Sequence, residues 1–269
     1  MKLTAIDLDG TLLDHSGKIP EKNQEALHAF DQQGGIVVLA TGRSILSVKK
    51  VFAQLSMNGY VLASNGAYIA QVKQGETTSV LKRFDIPIET INQTFRLAEE
   101  VGVTIVASRE TQDDRITFET APVEVDSPYY AQFHLKDSST KTLLKQVNDG
   151  TISYFKLAFN DTDVDKLAAL RQKFDTAGIR SVYTDVHWLE VMADGVNKGT
   201  SLSFLADYLH IDPEEVVAFG DQENDIEMLK VSGVGVAMDN ALEPVKAIAQ
   251  QITTSNEEAG VAEVLEEYL

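Results

Sequence analysis

Two carboxylates, Asp7 and Asp9, stand two residues apart after the short apolar run Leu3-Thr4-Ala5-Ile6. The run reads as a strand, and residues two apart on a strand project to the same side. Gly10 follows, and without a Cβ it lets the chain turn away sharply. Two acids brought together in an interior are costly unless a cation or a proton offsets them. The pair therefore predicts something positive between or beside it, and the chemistry depends on what else the chain brings there.

Three further polar clusters are candidates: Thr41-Gly42-Arg43, Lys198, and Asp221/Asn224/Asp225. Asp7, Asp9 and Asp221 offer hard oxygen ligands with no His or Cys among them, which suits Mg2+ rather than zinc or copper. Asp225, four residues after Asp221, is placed to orient a metal-bound water. Taken alone, Asp221 and Asp225 read better as helix-capping residues, and it is Asp7 and Asp9 at an equivalent strand end that favour the metal. The Thr41 hydroxyl and the Gly42 amide suit a phosphate oxygen at a helix N-terminus, although a threonine there also serves as a simple N-cap. Lys198 lies in a glycine-rich turn, where an ammonium would stabilise negative charge on both a phosphate and a carboxylate. Arg43 could hold substrate or an acidic neighbour.

These clusters must be positioned by something, and the surrounding pattern supplies it. Apolar residues at helical spacing run from 20 to 33, with Pro20 at the start and Gly34-Gly35 after the end. The continuous apolar run 36–40 fits a strand buried on both faces. A helix over 44–55 and a strand over 60–63 follow, the latter ending in Ser64-Asn65-Gly66-Ala67. After residue 199 the rhythm returns, with a helix over 200–209 and a strand over 216–219. A helix through Met228-Leu229, a strand over 234–238 and helices over 243–249 and 261–268 complete it. Strands ending in polar clusters with helices between them predict an α/β, Rossmann-like parallel sheet whose site lies at the strands' carboxyl ends. Between the two halves the pattern changes. Helices over 86–101, 139–147 and 164–177 alternate with strands near 103–107, 116–118, 154–159, 179–183 and 189–192, predicting an inserted α+β domain with a partly antiparallel sheet. The segment 120–136 reads as loop or edge strand. The expected organisation is one α/β domain of residues 1–80 and 190–269, with residues 81–189 inserted.

Composition narrows the function classes. The chain has 269 residues, 41 acids against 23 bases and a formal charge of −18. Such a surface repels nucleic acid and anionic membrane, and a phosphorylated ligand would need a locally positive site. No cysteine is present, which excludes disulfides and thiolate chemistry. No run approaches the ~20 apolar residues of a membrane span. The N-terminus enters its first strand without a basic or apolar leader, so a cytoplasmic protein is expected. Residues 195–200 lack the leading glycine and spacing of a phosphate-binding loop of the Walker type. Gly233-Val234-Gly235 lacks the third glycine of a dinucleotide fingerprint. The five histidines (His15, His28, His134, His187, His210) show no metal-ligand spacing. Tyr129, Tyr130 and Trp188 could line a pocket, but core packing is the ordinary role of such residues.

Asp7-Leu8-Asp9-Gly10-Thr11, Thr41-Gly42-Arg43, Ser64-Asn65-Gly66-Ala67, Asn197-Lys198-Gly199 and residues 220–225 together resemble the motifs of the haloacid dehalogenase (HAD) superfamily. The resemblance is closest to its Cof-type phosphatases, a group that includes sugar-phosphate phosphatases, and residues 233–240 also resemble that group. The resemblance implies a HAD core with an inserted cap, and a two-step phosphoryl transfer. Asp7 would be the nucleophile that forms an aspartyl-phosphate, and Asp9 the general acid and then base. Mg2+ would be held by Asp7, the Asp9 backbone carbonyl and Asp221, with Asp225 supporting the metal shell. Leu8, Thr41, Gly42, Lys198 and Asn224 would hold phosphate oxygens, and Arg43 and Asn65 are possible substrate contacts. The implied substrate is a small phosphorylated metabolite, with no nucleic-acid or membrane partner and a monomer as the default. A phosphomutase, and a non-enzymatic switch that accepts a phosphoryl group, remain open alternatives.

Overall fold

The computed structural model describes residues 1–118 and 135–269. Of the 120–136 segment only the last two residues are described, and Tyr129, Tyr130 and His134 lie outside the described residues. In chain order the elements are β1 (Leu3–Ile6), α1 (Glu21–Gln32), β2 (Ile36–Ala40), α2 (Ile45–Leu55), β3 (Asn58–Ala63), β4 (Tyr68–Lys73) and β5 (Glu76–Arg83). Next come α3 (Ile88–Val101), β6 (Thr104–Arg109), β7 (Gln112–Ile116), β8 (Leu135–Asp137), α4 (Thr140–Asn148), β9 (Lys156–Asn160), α5 (Val164–Thr176), β10 (Val182–Asp185) and β11 (Trp188–Val191). The chain closes with α6 (Lys198–Leu209), β12 (Val216–Gly220), α7 (Ile226–Val231), β13 (Val234–Ala237), α8 (Glu243–Lys246), β14 (Gln251–Ile252) and α9 (Gly260–Leu265).

Two compact units result, one of Met1–Lys82 with Val196–Leu269, the other of Arg83–Gly195. The first carries a sheet in the order β14-β13-β12-β1-β2-β3-β4-β5. Pairing is parallel from β14 to β3 and turns antiparallel at β4. The middle strands are buried along nearly their whole length, which explains their uninterrupted apolar sequences. β1 sits between β2 and β12, so the chain leaves it in one direction and returns on the other side. In open α/β sheets ligands bind beside such a reversal, at the carboxyl ends of the strands. The sequence reading omits the β4–β5 hairpin. β5 is exposed along most of its length, so it lacks the apolar alternation that marks a strand. The helix expected over 243–249 is one turn, Glu243–Lys246.

The second unit has a six-stranded sheet in the order β10-β11-β9-β6-β7-β8, antiparallel except for the β7–β8 pair. Alternate residues of its strands (Ile105, Ala107, Leu157, Phe159, Leu189, Val191) pack in one core with Phe95, Leu143, Leu167 and Phe174 of the helices. The opposite face holds Val106, Ala158 and Trp188. Trp188 is therefore a packing residue. Lys156 and Glu190 pair at 2.7 Å with both side chains fully buried. Strand pairing moves both expected boundaries. β11 pairs with β9 and β10, so residues 190–195 go with the inserted unit, and β5 runs past residue 80. The strand expected at 116–118 is Gln112–Ile116. Its polar residues are accommodated because Asp114 accepts from the Tyr154 hydroxyl at 2.8 Å and pairs with Arg109 at 3.0 Å. Among the described residues no helix is long and apolar enough to cross a membrane.

α6 matters most for the site, and its start is fixed twice. Asn197 caps it through a reciprocal pair with Thr200: the Asn197 side chain accepts from the Thr200 amide at 2.9 Å, and the Thr200 hydroxyl accepts from the Asn197 amide at 3.1 Å. At Gly199 a Cβ would lie 2.5 Å from the Glu227 carbonyl oxygen on α7. Backbone cannot yield as a flexible side chain can, so Gly199→Ala should lower stability by about 1–3 kcal/mol. Urea unfolding monitored by circular dichroism checks this, and an unchanged midpoint would contradict the packing of α6 on α7.

Candidate active site

The strand ends deliver the acids. The Asp7 amide continues the β1–β12 ladder, donating to the Phe219 carbonyl at 3.1 Å. That places Asp7 beside Asp221, which follows β12. Gly10, at φ +79°, lets the chain fold over: a Cβ there would sit 2.4 Å from Asp221 Oδ2. Gly220 does the same for Asp225, whose carboxylate a Cβ would overlap. Asp7, Asp221 and Asp225 thus converge, with one carboxylate oxygen of each within 4.8 Å of the others, and all three residues are buried.

Lys198 enters this cluster from the first turn of α6 rather than from the expected glycine-rich turn, and it is 0% exposed. Its Nζ donates at 2.6 Å to Asp7 Oδ1 and at 2.6 Å to Asp225 Oδ1. Burial works against the ammonium, but attraction to Asp225 and Asp7 and the hydrogen bonds it donates to them outweigh it. The group is held above the ordinary lysine range. Asp225 Oδ2 accepts from the amides of Asp221 at 3.0 Å and Gln222 at 3.1 Å. Asp225 therefore caps the turn with one oxygen and grips Lys198 with the other.

Three buried carboxylates share a single ammonium, and the structure records the deficit in their acidities. Desolvation, reinforced by Asp225, Asp221 and Asp9 and opposed by Lys198, pushes Asp7 well above the usual carboxylate range. Desolvation and Asp225 push Asp221 up to about 7, against the hydrogen bonds from Thr11 and Gln222 and the attraction of Lys198. Thr11 Oγ1 donates to Asp221 Oδ1 at 2.9 Å, and Gln222 Nε2 to Oδ2 at 3.2 Å. Fully ionised, the three acids would outnumber Lys198 by two negative charges. Oxygen-only donors with that excess fit a divalent hard cation. Asp7 Oδ2 accepts no hydrogen bond from the described residues.

Asp9 behaves differently. Its carboxylate lies outside this cluster and is gripped by Arg43, Nε to Oδ2 at 2.7 Å and Nη2 to Oδ1. Of the two roles open for Arg43, the structure shows the acidic neighbour. Thr41 is buried, and its hydroxyl accepts from the Arg43 amide at 3.1 Å. It precedes α2 by a full loop, with Ser44 at the N-cap, so it is not the helix cap. Leu8 is fully buried, and its carbonyl accepts from the amides of Thr11 and Leu13. Asn224 Nδ2 donates to Asn65 Oδ1 at 2.9 Å. The sequence reading gave no role to Thr11, Gln222, Ser201 or Asn240. Ser201 Oγ donates to the Gly66 carbonyl at 2.8 Å, and Asn240 Nδ2 to the Gly10 carbonyl at 2.8 Å. Thr11, Gln222 and Asn240 each stand inside a segment that carries the resemblance, whereas Ser201 carries no signal.

A parallel sheet with acids, a lysine and an asparagine at its strand ends, interrupted by an inserted α+β unit, defines a class. The family model of haloacid dehalogenase-like hydrolases matches residues 4–265, and the chain belongs to that family. It is an enzyme, a phosphatase. It is 30% identical over 281 residues to the 5-amino-6-(5-phospho-D-ribitylamino)uracil phosphatase YitU of Bacillus subtilis, covering 99% of this chain and 97% of that one. A haloacid dehalogenase-like hydrolase from B. subtilis superposes with a TM-score of 0.88 at 27% identity, over 100% of both chains. The HAD subclass IIB sugar phosphatase BT4131 superposes with a TM-score of 0.81 at 25% identity, over 100% of this chain and 99% of that one.

The weakened acidity of Asp221 has a stability consequence. An acid whose carboxyl is raised in the fold contributes stability fully present below its unfolded value, near 3.8, and lost as pH rises through about 7. Asp221→Asn should therefore raise the melting temperature of chelator-treated protein at about pH 8 and change it little at about pH 4. Thermal denaturation at the two pH values tests this. An equal change at both would show that the charge on Asp221 costs nothing.

Proposed function

We propose that the protein is a Mg2+-dependent phosphatase of small phosphorylated metabolites, with sugar phosphates as its substrates, working through an aspartyl-phosphate on Asp7. The observation that carries this reading is the buried cluster of three carboxylates around one lysine. Asp7, the Asp9 backbone carbonyl and Asp221 would hold the cation, with Asp225 fixed behind them by Lys198 and two amides. Mg2+, when bound, neutralises charge that otherwise opposes the approach of a phosphate dianion to a carboxylate.

The residues divide the work. Asp7 offers Oδ2 to phosphorus while Lys198 fixes Oδ1. A new P–O bond forms to Asp7 as the bond to the leaving alcohol breaks, and that alcohol takes a proton from Asp9. Asp9 then removes a proton from water, which attacks the aspartyl-phosphate and frees inorganic phosphate and the Asp7 carboxylate. The Arg43 grip on both Asp9 oxygens must loosen for Asp9 to act, and the substrate phosphate is the anion that competes for the guanidinium. Lys198 and Asn224, the Thr41 hydroxyl and the amides of Leu8 and Gly42 would receive the phosphate oxygens, with Arg43 and Asn65 as possible further substrate contacts. We assign the chemistry to the unit of Met1–Lys82 and Val196–Leu269, and substrate selection to the inserted one. The named relatives act on a phosphoribityl compound and on sugars, which supports a phosphorylated polyol or sugar here. The acidic surface supports neither a nucleic-acid nor a membrane partner, and a cytoplasmic monomer is the proposed setting.

Asp7→Asn should lower hydrolysis of p-nitrophenyl phosphate with Mg2+ by about 10³-fold or more while substrate still binds. Asp9→Asn should hydrolyse phosphate esters of basic alcohols far more slowly than p-nitrophenyl phosphate, whose leaving group needs little protonation. Phosphate release matching substrate loss distinguishes a phosphatase from a mutase. Full activity of the Asp7 variant would exclude the mechanism.

A further inference from the structure

We propose that Asn65 is a positioning residue for phosphate binding, acting through Asn224; the inference rests on the reading of Asn224 as a phosphate donor. Asn224 offers two N–H bonds and one carbonyl oxygen. Its Nδ2 donates to Asn65 Oδ1 at 2.9 Å, while its own Oδ1 is buried without a hydrogen-bond partner. A buried orphan acceptor costs free energy, so the carboxamide is held in this orientation by what Asn65 supplies on the other side. Only the nitrogen can donate to Asn65 Oδ1. The contact therefore fixes which way the amide faces and leaves the second N–H for an anion. Turned over, the carboxamide would present lone pairs to a phosphate oxygen.

Asn65 is itself held by unusual backbone. Ser64, Asn65 and Gly66 have φ of 52°, 55° and 89°, three consecutive residues in the left-handed region. Two of them are not glycine, a conformation that persists only where the surroundings enforce it. They do so from two sides. The Ser64 amide donates to the Arg43 carbonyl at 2.9 Å and the Asn65 amide to the Thr41 carbonyl at 2.9 Å. The Gly66 carbonyl accepts from Ser201 Oγ on α6, one turn after Lys198. At Gly66 a Cβ would lie 2.4 Å from that hydroxyl. The loop is thus tied to the Thr41 loop and to the lysine helix, and it carries Asn65, 1% exposed, to the Asn224 turn. Asparagine suits the place because it tolerates left-handed backbone and brings an acceptor.

A double-mutant cycle tests the proposal, read as KM and kcat for p-nitrophenyl phosphate and as the inhibition constant of inorganic phosphate. Asn65→Gly removes the acceptor but keeps the left-handed backbone, so the melting temperature should hold. Asn224→Ala should weaken phosphate binding about tenfold or more. Asn65→Gly should weaken it about threefold to tenfold with kcat changed by less than about threefold. Adding Asn65→Gly to Asn224→Ala should then change binding by less than about twofold. Full additivity of the two changes, or a weakened Asn224 variant beside an unaffected Asn65 variant, overturns the role of Asn65. An Asn224→Ala variant that binds phosphate normally overturns the donor reading itself and the inference with it.

Discussion

The site depends on one buried ammonium shared between two carboxylates. Lys198 is fully buried, and its two hydrogen bonds go to carboxylates that arrive from β1 and β12, strands separated by most of the chain. Removing the lysine would leave Asp7 and Asp225 buried with no cation between them, which costs far more than a surface ion pair is worth. The surrounding structure follows from this. α6 must begin at residue 198, which its capping pair enforces. Residues 10, 199 and 220 must lack side chains, because each has backbone or a carboxylate where a Cβ would go. The lysine does not balance the cluster, however. Three acids against one base leave a cluster whose oxygens fit a divalent cation.

How much of this is legible in the sequence varies with the distance over which each contact acts. The spacing of Asp7 and Asp9 and the apolar runs of β1, β2 and β12 are local, so the parallel sheet and its acidic strand end can be read directly. The burial of Lys198 cannot. Nothing near it in sequence distinguishes a solvated lysine among glycines from one that meets Asp7 across 191 positions. Asp225 is similarly ambiguous, because capping and ion pairing use the same side-chain position and differ only in which oxygen is engaged. Thr11 and Asn65 act through partners more than 150 residues away, so the chain shows their type but not their task.

The inserted unit is less legible, for a different reason. β7 runs Gln112-Asp113-Asp114-Arg115-Ile116, with little apolar sequence to mark a strand, and the Tyr154 hydroxyl, Arg109 and the Gln112 side chain make Asp114 tolerable inside. β5 has few apolar residues because it is an edge exposed along most of its length. In both cases tertiary contacts override the period-2 signal that sequence reading relies on. The acidic surface, by contrast, needs no structure to interpret: with −18 formal charges, affinity for a phosphate ester has to be local.

The central claim is that the acid cluster is short of positive charge and that a divalent cation supplies it. Calorimetric titration of chelator-treated protein with Mg2+, repeated in buffers of different ionisation enthalpy, counts the protons displaced. Because burial holds the carboxyls of Asp7 and Asp221 above their usual range, Mg2+ binding near neutral pH should release protons, and the share from Asp221, raised to about 7, should fade about two pH units higher. Heat that is absent, or that does not depend on the buffer at neutral pH, would contradict the account.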